Sequence, residues 1–466
     1  MLTVYDRSSR LGRRDFLRIG GLGLGGLTLP HLMSGKSSAA QIASAVPGLT
    51  TGKSVVFLFL HGGPSQIETF DPKMTAPSNI RSVTGELSTS IPGVTFGGTL
   101  PRLSSLAKSM TVVRSFTTGD ARHDIKPVVS RFSSDANLGS LYSRVAGANH
   151  PKTGMPTNTL LIPQSINPKA EPEVTQFGKL TSTGGFGSAT APLIPGSGGD
   201  LQRDMELKLP LDRLSDRRSL LNRLDRLRAF ADQENETIDP LRRQAFDTIL
   251  GGVAEAFDLD QEDPQTIARY DTSPLIDPRH IDQKWNNFKR YIDNVKYLGK
   301  LMLLARRLCE RGCGFVTVTT NFVWDMHADA NNATIDEGMR YMAPPFDHAV
   351  SAFLEDVAAR GLHDDILLVV CGEMGRTPKI NNRGGRDHWG NLAPLMLSGG
   401  GLPMGQVIGQ STRDVAEPAT TPVTIPHLIS TILRTLFDVG ELRVRRGVPD
   451  DILRMAAHDP IPELHG

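Results

Sequence analysis

The sequence predicts an α/β fold, a doubly wound and mostly parallel sheet flanked by helices. Apolar runs without polar alternation are typical of strands that are covered on both faces, as in a parallel sheet. Such runs occur at residues 55–60, 110–115, 314–320, 365–371 and 392–397. Segments with helical periodicity separate them, and strands that alternate with helices favour this class of fold.

The helical segments are identified from the spacing of their apolar residues. Segment 292–309 has apolar residues at helical intervals and leads directly into the third strand. Segment 349–360 ends at a glycine and leads into the fourth strand. Segment 423–437 is predicted as a closing helix, and segment 100–107 is predicted as a helix before the second strand.

Between about residues 150 and 283 this alternation stops. Residues 184–199 are rich in Gly, Pro and Ser, and the charged stretch that follows has a leucine-bearing face at helical spacing. A dense mixture of Arg and Asp on a helix indicates a solvated surface. We therefore expect a loop-rich and helical cap insertion outside the sheet of a single domain that spans residues 52–466.

Composition and charge exclude several classes of function. The 466 residues carry a formal net charge of +1, so there is no electrostatic case for a nucleic-acid partner or an anionic membrane. The chain has three cysteines, Cys309, Cys313 and Cys371. An odd number does not suit a disulfide framework, and we expect buried free thiols.

The first 45 residues are typical of an export leader. Arg13 and Arg14 are followed by Phe16 and Leu17, an uncharged run rich in Gly and Leu, and a stretch of small residues. This order is that of a secretory signal, and the paired arginines resemble the twin-arginine motif. The apolar run is too short and too rich in glycine for a stable membrane span. We expect the twin-arginine translocase as a partner and a periplasmic or extracellular location; the alternative is a mobile basic N-terminus.

Polar residues follow three of the predicted strands, and a fourth polar group lies in a glycine-flanked segment at 384–390. Ligands bind to open α/β sheets at the carboxyl ends of the strands. A single polar residue there is more often a cap, but four groups at one edge favour a site. Histidine with carboxylate is the ligand set of zinc, manganese or iron. The candidate metal ligands are His61, Asp325, His327, Glu373, Asp387 and His388.

A serine hydrolase is the competing interpretation. The sequence His61-Gly62-Gly63 resembles the oxyanion-hole loop of some esterases. However, the chain contains no Gly-x-Ser-x-Gly nucleophile elbow. Ser65 remains open as a nucleophile, although no sequence feature supplies its base.

Four ordered motifs together resemble one known family. They are HGGPSQ-x-ETFDP at 61–72, WD-x-H at 324–327, GE-x-GRTP at 372–378 and GRDHW at 385–389. They are similar to motifs of the domain of unknown function fifteen-oh-one family, an uncharacterised, sulfatase-like branch of the alkaline phosphatase superfamily. The resemblance covers essentially the whole mature chain and implies an alkaline phosphatase/sulfatase-like domain. Members typically begin with a twin-arginine leader.

The resemblance also implies metal ligands. In the superfamily an acid after the first strand binds one metal ion, and His61 occupies that place here. An Asp and a His after a middle strand bind the other ion, which matches Asp325 with His327 or Asp329. Glu373 stands alone where the superfamily has an Asp-His pair, so one ligand is missing. A late histidine matches the histidine of GRDHW. The implied cofactor is a divalent metal ion, either zinc, manganese or calcium.

The catalytic nucleophile of the superfamily has no clear counterpart in this sequence. Thr117, Thr118 and His123 lie nearest to its expected place. No Cys-x-Pro-x-Arg signature occurs, which disfavours a formylglycine sulfatase. Arg376 or Arg386 is expected to neutralise negative charge that develops on the substrate, and a structural ion pair is the alternative role for each.

The sequence therefore predicts an exported metal-dependent hydrolase of phosphate or sulfate esters, with a small-molecule or polysaccharide ester as substrate. The alternative is a non-catalytic metal-binding or surface-assembly protein that keeps the fold without a nucleophile. Metal content and turnover on a panel of esters discriminate between these two functions.

The leader generates the first testable prediction. The double substitution Arg13→Lys with Arg14→Lys should leave the protein in the cytoplasm, because the export pathway reads the paired arginines. Cell fractionation followed by immunoblotting measures the distribution. Export of the double variant at the wild-type level would contradict the assignment of this pathway.

Overall fold

The computed structural model describes residues 48–196 and 253–465. The predicted leader and the charged stretch at 197–252 lie outside the described residues, so the predictions made for them stay predictions. Within the described part of the chain, no helix is long and apolar enough to cross a membrane.

A seven-stranded sheet forms the centre of the described structure. Its strands in chain order are β1 (Ser54–Phe59), β2 (Thr111–Val113), β3 (Asn158–Leu161), β4 (Phe315–Thr319), β5 (Ile366–Cys371), β6 (Leu395–Gly399) and β7 (Gln406–Ile408). Their order across the sheet is β7-β2-β6-β5-β1-β4-β3. Only β6 pairs antiparallel with its neighbours in this sheet, so the predicted mostly parallel sheet is confirmed.

Two strands of the sheet are not predicted from the sequence. One is β7 at one edge, and the other is β3 at the opposite edge. β3 pairs in parallel with β4, Asn158 opposite Phe315 and Leu161 opposite Val318. Residues 158–161 lie within the predicted insertion, so its start is corrected: they belong to the sheet. The strand has only four residues and two of them are polar, which hides it among loop residues.

Helices cover both faces of the sheet. They are α1 (Pro101–Ser105), α2 (Leu138–Ala146), α3 (Ala254–Phe257), α4 (Pro264–Tyr270), α5 (Phe288–Glu310), α6 (Ile335–Ala359), α7 (Ile425–Leu436), α8 (Val439–Val444) and α9 (Asp450–Ala457). Helix α6 begins well before the predicted segment 349–360. Pro344 and Pro345 lie inside it, and proline normally signals the end of a helix, which conceals the first half from pattern reading.

Strand β1 shows how the two helical layers are built. Val56 and Leu58 belong to one buried apolar cluster, which also contains the inner faces of α5 and α6. Val55, Phe57 and Phe59 belong to a second cluster, with the inner faces of α2 and α7. Side chains alternate across a strand, so a continuous apolar run supplies both cores. All three cysteines are buried free thiols in these layers.

Short two-stranded ribbons lie outside the central sheet. They pair Glu86–Ser88 with Thr95–Gly97, Phe116–Thr117 with Val423–Thr424, and Gly375–Arg376 with His388–Trp389. The third ribbon places His388 opposite Arg376. Both residues lie at the edge of the central sheet where the candidate site is found.

The position of β3 in the sheet leads to a stability prediction. Leu160 is fully buried in the second apolar cluster, so Leu160→Ala should lower the free energy of unfolding by about 2–5 kcal/mol. Chemical denaturation measures this change. Val444→Ala is the control, because Val444 is 74% exposed and its truncation should change little. An unfolding free energy unaffected by Leu160→Ala would show that this segment is not part of the sheet core.

Candidate metal centre

Four loops meet at the carboxyl edge of the parallel strands. His61 follows β1, Asp325 follows β4 and Glu373 follows β5. His123 comes from the segment after β2. Because β1, β4 and β5 run in the same direction, the ends of these strands lie side by side. The sheet therefore brings together residues that are far apart in the sequence. His61 and Glu373, for example, are 312 positions apart.

The carboxylate of Asp325 lies at the centre of the site and contacts several of its side chains. Its Oδ2 lies 3.1 Å from His327 Nε2 and accepts a 3.0 Å hydrogen bond from Asn332 Nδ2. Its Oδ1 lies 3.2 Å from His388 Nε2 and accepts a 2.7 Å charged hydrogen bond from Arg376 Nη2. Asp325 is almost completely buried, so these partners replace the water that the carboxylate has lost.

The balance of burial and charge keeps Asp325 ionised. Burial alone would raise the pKa of the Asp325 carboxyl, but the charge of Arg376 and the hydrogen bonds of three histidines hold that pKa well below its usual range. The carboxylate is therefore available as an anionic ligand at any physiological pH.

His123 lies between two carboxylates. Its Nδ1 is 2.9 Å from Glu373 Oε1, and its Nε2 is 3.4 Å from Asp325 Oδ1. Glu373 also accepts hydrogen bonds of 3.0 and 3.2 Å from the backbone N–H of Gly62, which fixes its carboxylate. When Nδ1 donates to Glu373, neutral His123 carries its lone pair on Nε2 and directs it towards Asp325. That arrangement is stable when a cation lies between the lone pair and the carboxylate.

The pKa of His123 reflects the same arrangement. Burial lowers the pKa of this imidazole, but Asp325 and Glu373 outweigh burial and raise it above its ordinary value. The two carboxylates therefore favour the protonated form of this imidazole. His388 differs, because burial and the charges of Arg376 and His123 together outweigh the effect of Asp325 and lower its pKa.

The three side chains could hold a small metal ion. Potential ligand atoms of His123, Asp325 and His388 all lie within 4.8 Å of one another. Two ligand atoms on a tetrahedral ion with bonds of about 2.0–2.1 Å are about 3.3–3.4 Å apart by geometry. The distances of 3.4 and 3.2 Å from Asp325 Oδ1 to the two imidazole nitrogens agree with that value. The polar contact of the buried His123 Nε2 is the one to Asp325 Oδ1, at 3.4 Å, so this nitrogen is free to bind an ion placed next to that oxygen.

His61 lies beside this cluster in an aromatic pocket. Its ring stacks on Phe59 with the centroids 5.1 Å apart and contacts Phe322 edge-on at 4.9 Å. Phe177 contacts both His61 and His123 and stacks on Phe322. Burial lowers the pKa of His61 to about 4, so its imidazole is neutral. Its Nε2 is buried and has no hydrogen-bond partner.

The remaining predicted residues are placed as follows. His327 hydrogen-bonds to Asp325 and contacts the ring of His388 edge-on, with the centroids 5.3 Å apart, and Glu373 hydrogen-bonds to His123. Both residues flank the cluster. Asp387 is exposed, and its carboxylate accepts a hydrogen bond from Asn381. The prediction of Asp387 as a ligand is corrected, because its exposed carboxylate binds Asn381 and no member of the cluster. The Thr118 hydroxyl donates to the carbonyl of Asp120 at 3.4 Å and makes no hydrogen bond to the cluster.

The two predicted arginines have different positions. Arg376 reaches the cluster through Asp325, and its guanidinium also donates to the carbonyls of Gly62, Gly63 and Arg386. Arg386 forms a buried ion pair of 2.9 Å with Glu68 and donates to four backbone carbonyls. With its donors occupied in this way, Arg386 does not face the cluster, and the expectation that it neutralises substrate charge is corrected to the structural alternative.

Two glycines permit this close packing. A Cβ on Gly62 would lie 2.6 Å from the backbone nitrogen of Asp325, and Gly62 has a φ of +114°. A Cβ on Gly385 would lie 2.3 Å from the carbonyl carbon of His327. Only glycine allows such backbone contacts, which explains these positions of the HGG and GRDHW motifs.

Three contacts of the site are not predicted from the sequence. They involve Asn332, Phe177 and Phe322. Asn332 lies seven residues after Asp325 in a turn, and asparagine is common in turns. Phe177 lies in a loop of the predicted insertion. The only sequence signal for Asn332 and Phe322 is that they lie near the WD-x-H motif. Phe177 has no such signal.

The fold and the site together define an α/β protein with a candidate metal centre at the carboxyl edge of a mostly parallel sheet. The family described as protein of unknown function (DUF1501) matches residues 52–442. The chain belongs to this family, as the four motifs predict. None of the curated proteins matches the chain.

Several solved structures are distantly similar. The lipoteichoic acid synthase LtaP from Listeria monocytogenes has a TM-score of 0.34 and 9% identity, over 94% of this chain and 81% of that chain. The phosphonate monoester hydrolase SpPMH from Silicibacter pomeroyi has a TM-score of 0.33 and 12% identity, over 82% and 73%. The phosphonate monoester hydrolase of Agrobacterium radiobacter has a TM-score of 0.30 and 11% identity, over 82% and 73%.

The role of Arg376 is testable by substitution. Arg376→Met should lower the free energy of unfolding by about 3–5 kcal/mol, because it leaves the buried Asp325 without its charged partner. Chemical denaturation of the metal-free protein measures this change.

Arg340→Met is the matched control. Arg340 forms an exposed pair of 3.1 Å with Asp336, and the loss of such a pair should cost less than about 1 kcal/mol. Equal effects of the two substitutions would contradict the view that Arg376 compensates a buried charge.

Proposed function

We propose that the protein is a metal-dependent hydrolase of phosphate or sulfate esters. The observation that carries the proposal is the cluster of His123, Asp325 and His388, with one anionic oxygen between two imidazoles. A divalent ion held there would polarise an ester oxygen and increase the acidity of a water molecule.

The surrounding residues prepare the ligands. Glu373 accepts from His123 Nδ1 and so directs the lone pair of Nε2 towards Asp325. Asn332 and His327 hold Oδ2 of Asp325, so Oδ1 faces the two imidazoles and Arg376. Such supporting hydrogen bonds fix the orientation and basicity of metal ligands.

Water is the proposed nucleophile. Among the described residues, no serine, threonine or cysteine side chain hydrogen-bonds to the three cluster residues. Thr118 has its hydroxyl on the Asp120 carbonyl, and the Ser65 hydroxyl accepts from the Glu68 backbone. A hydrolysis that needs no covalent intermediate is therefore the reaction that this site supports best.

The donor set favours zinc or manganese over calcium. Two of the three donors are imidazole nitrogens, which suit zinc and other transition metals. Calcium prefers six to eight oxygen ligands. Zinc binding by two histidines and one carboxylate also leaves a fourth position for water or substrate.

In the described part of the chain, no serine, threonine or cysteine side chain hydrogen-bonds to the cluster, and this supports a second candidate function. A metal-binding or surface-assembly protein would keep the cluster without turnover. The two functions differ in one measurement: a metal-loaded hydrolase releases phosphate or sulfate from a panel of small and polysaccharide esters, and a binding protein does not. Export through the twin-arginine translocase to the periplasm or beyond remains part of the proposal for both.

Metal content tests the proposed ligands. The wild type should retain stoichiometric metal after dialysis against a weak chelator, whereas His388→Ala and Asp325→Ala should each lose most of it, because two donors hold a divalent ion much less tightly than three. Mass spectrometry of metal per chain is the measurement.

His363→Ala is the matched control. His363 pairs with Asp364 at 3.4 Å on the surface, where its side chain is 59% exposed, so it should not affect metal content. A metal-free wild type, or full occupancy in both ligand variants, would remove the basis of the proposal.

A further inference from the structure

Lys126 is buried in a way that the proposed function does not explain. Its side chain is 5% exposed. The ammonium donates to Asp120 Oδ1 at 2.8 Å, to Asp124 Oδ1 at 2.6 Å and to the carbonyl of Arg122 at 3.1 Å. All three acceptors lie within six residues of Lys126. The lysine therefore links the two ends of segment 120–126 through hydrogen bonds within the segment.

This segment carries His123. The start of the segment is attached to the chain just after His388, because the backbone N–H groups of Thr118 and Gly119 donate to the carbonyl of Gly390 at 3.2 and 3.1 Å. A Cβ on Gly390 would lie 2.4 Å from the carbonyl carbon of Asp120. Segment 120–126 is thus held at one end by Gly390 and at the other end by Lys126.

The energetics favour a role for the lysine in loop conformation. Asp120 and Asp124 are about half exposed, at 48% and 47% of their side chains, so each could remain solvated without a partner. A buried ammonium, in contrast, is costly unless it is paired. Lys126 therefore draws both carboxylates inward, and the closed loop loses the freedom that a seven-residue segment would otherwise have.

We propose that Lys126 is a positioning residue for His123. It holds segment 120–126 in the one conformation in which His123 reaches Glu373 with Nδ1 and Asp325 with Nε2. Its effect on metal binding rests on the proposed function, whereas its effect on the place of the imidazole does not.

The first readout is metal affinity. Lys126→Met should weaken metal binding by roughly tenfold to a hundredfold, as the loss of a supporting residue does, and Lys126→Arg should restore most of the affinity. In a His123→Ala background, Lys126→Met should have no further effect on affinity. Lys284→Met is the control, because Lys284 also bridges two carboxylates, at 3.0 and 2.8 Å, but on the surface.

The second readout requires no metal. The His123 Nδ1–H proton, held by Glu373 in a side chain that is 9% exposed, should exchange slowly with solvent and be visible by NMR in the metal-free wild type and in Lys126→Arg. It should disappear in Lys126→Met. If that variant does not fold, Asp124→Ala removes one partner of the ammonium at a half-exposed position and should weaken the signal.

The outcomes separate the two proposals. A wild type that binds no metal but loses the imidazole signal in Lys126→Met overturns the proposed function and supports the positioning role. An unchanged imidazole signal in Lys126→Met, or an equal loss of metal affinity with and without His123, overturns the positioning role alone.

Discussion

The guanidinium of Arg376 lies in the interior, against the Asp325 carboxylate and three backbone carbonyls, and the geometry of the whole site depends on this contact. Through it, the loop after β1, the loop after β4 and the ribbon strand of His388 are joined at one cation. Gln66 strengthens the connection, because its side chain exchanges two hydrogen bonds, of 2.8 and 2.9 Å, with the backbone of Arg376. The HGGPSQ and GRTP motifs are therefore held together by direct hydrogen bonds.

The charge balance around Asp325 and Glu373 explains why a bound cation is expected at this site. His123 lies between the buried carboxylates of Asp325 and Glu373. Among the described residues, Arg376 is the only arginine or lysine that forms an ion pair with either carboxylate, and it pairs with Asp325. Uncompensated buried charge is costly. The remaining negative charge is balanced either by a proton on His123, in line with its raised pKa, or by a metal ion between His123, Asp325 and His388. Binding of an ion there would replace a proton at the same place.

The sequence predicts the α/β class and five of the seven strands because long apolar runs are a direct consequence of double-sided burial. It does not predict β3, a short edge strand with two polar residues, or the first half of α6, which two prolines conceal. At the site, Asp325 and His388 are predicted from their place after strands and within motifs. The bridging role of His123 and the outward orientation of Asp387 are not, because both depend on how a loop or ribbon turns its side chains, which tertiary contacts decide.

The most direct measurement of the central claim is X-ray absorption spectroscopy at the zinc edge of the zinc-loaded protein. We expect two imidazole ligands and at least one carboxylate oxygen, with metal–ligand distances of about 2.0–2.2 Å, and one imidazole fewer in His123→Ala. A coordination sphere that contains only oxygen ligands, or one that is unchanged in His123→Ala, would contradict a metal centre formed by His123, Asp325 and His388.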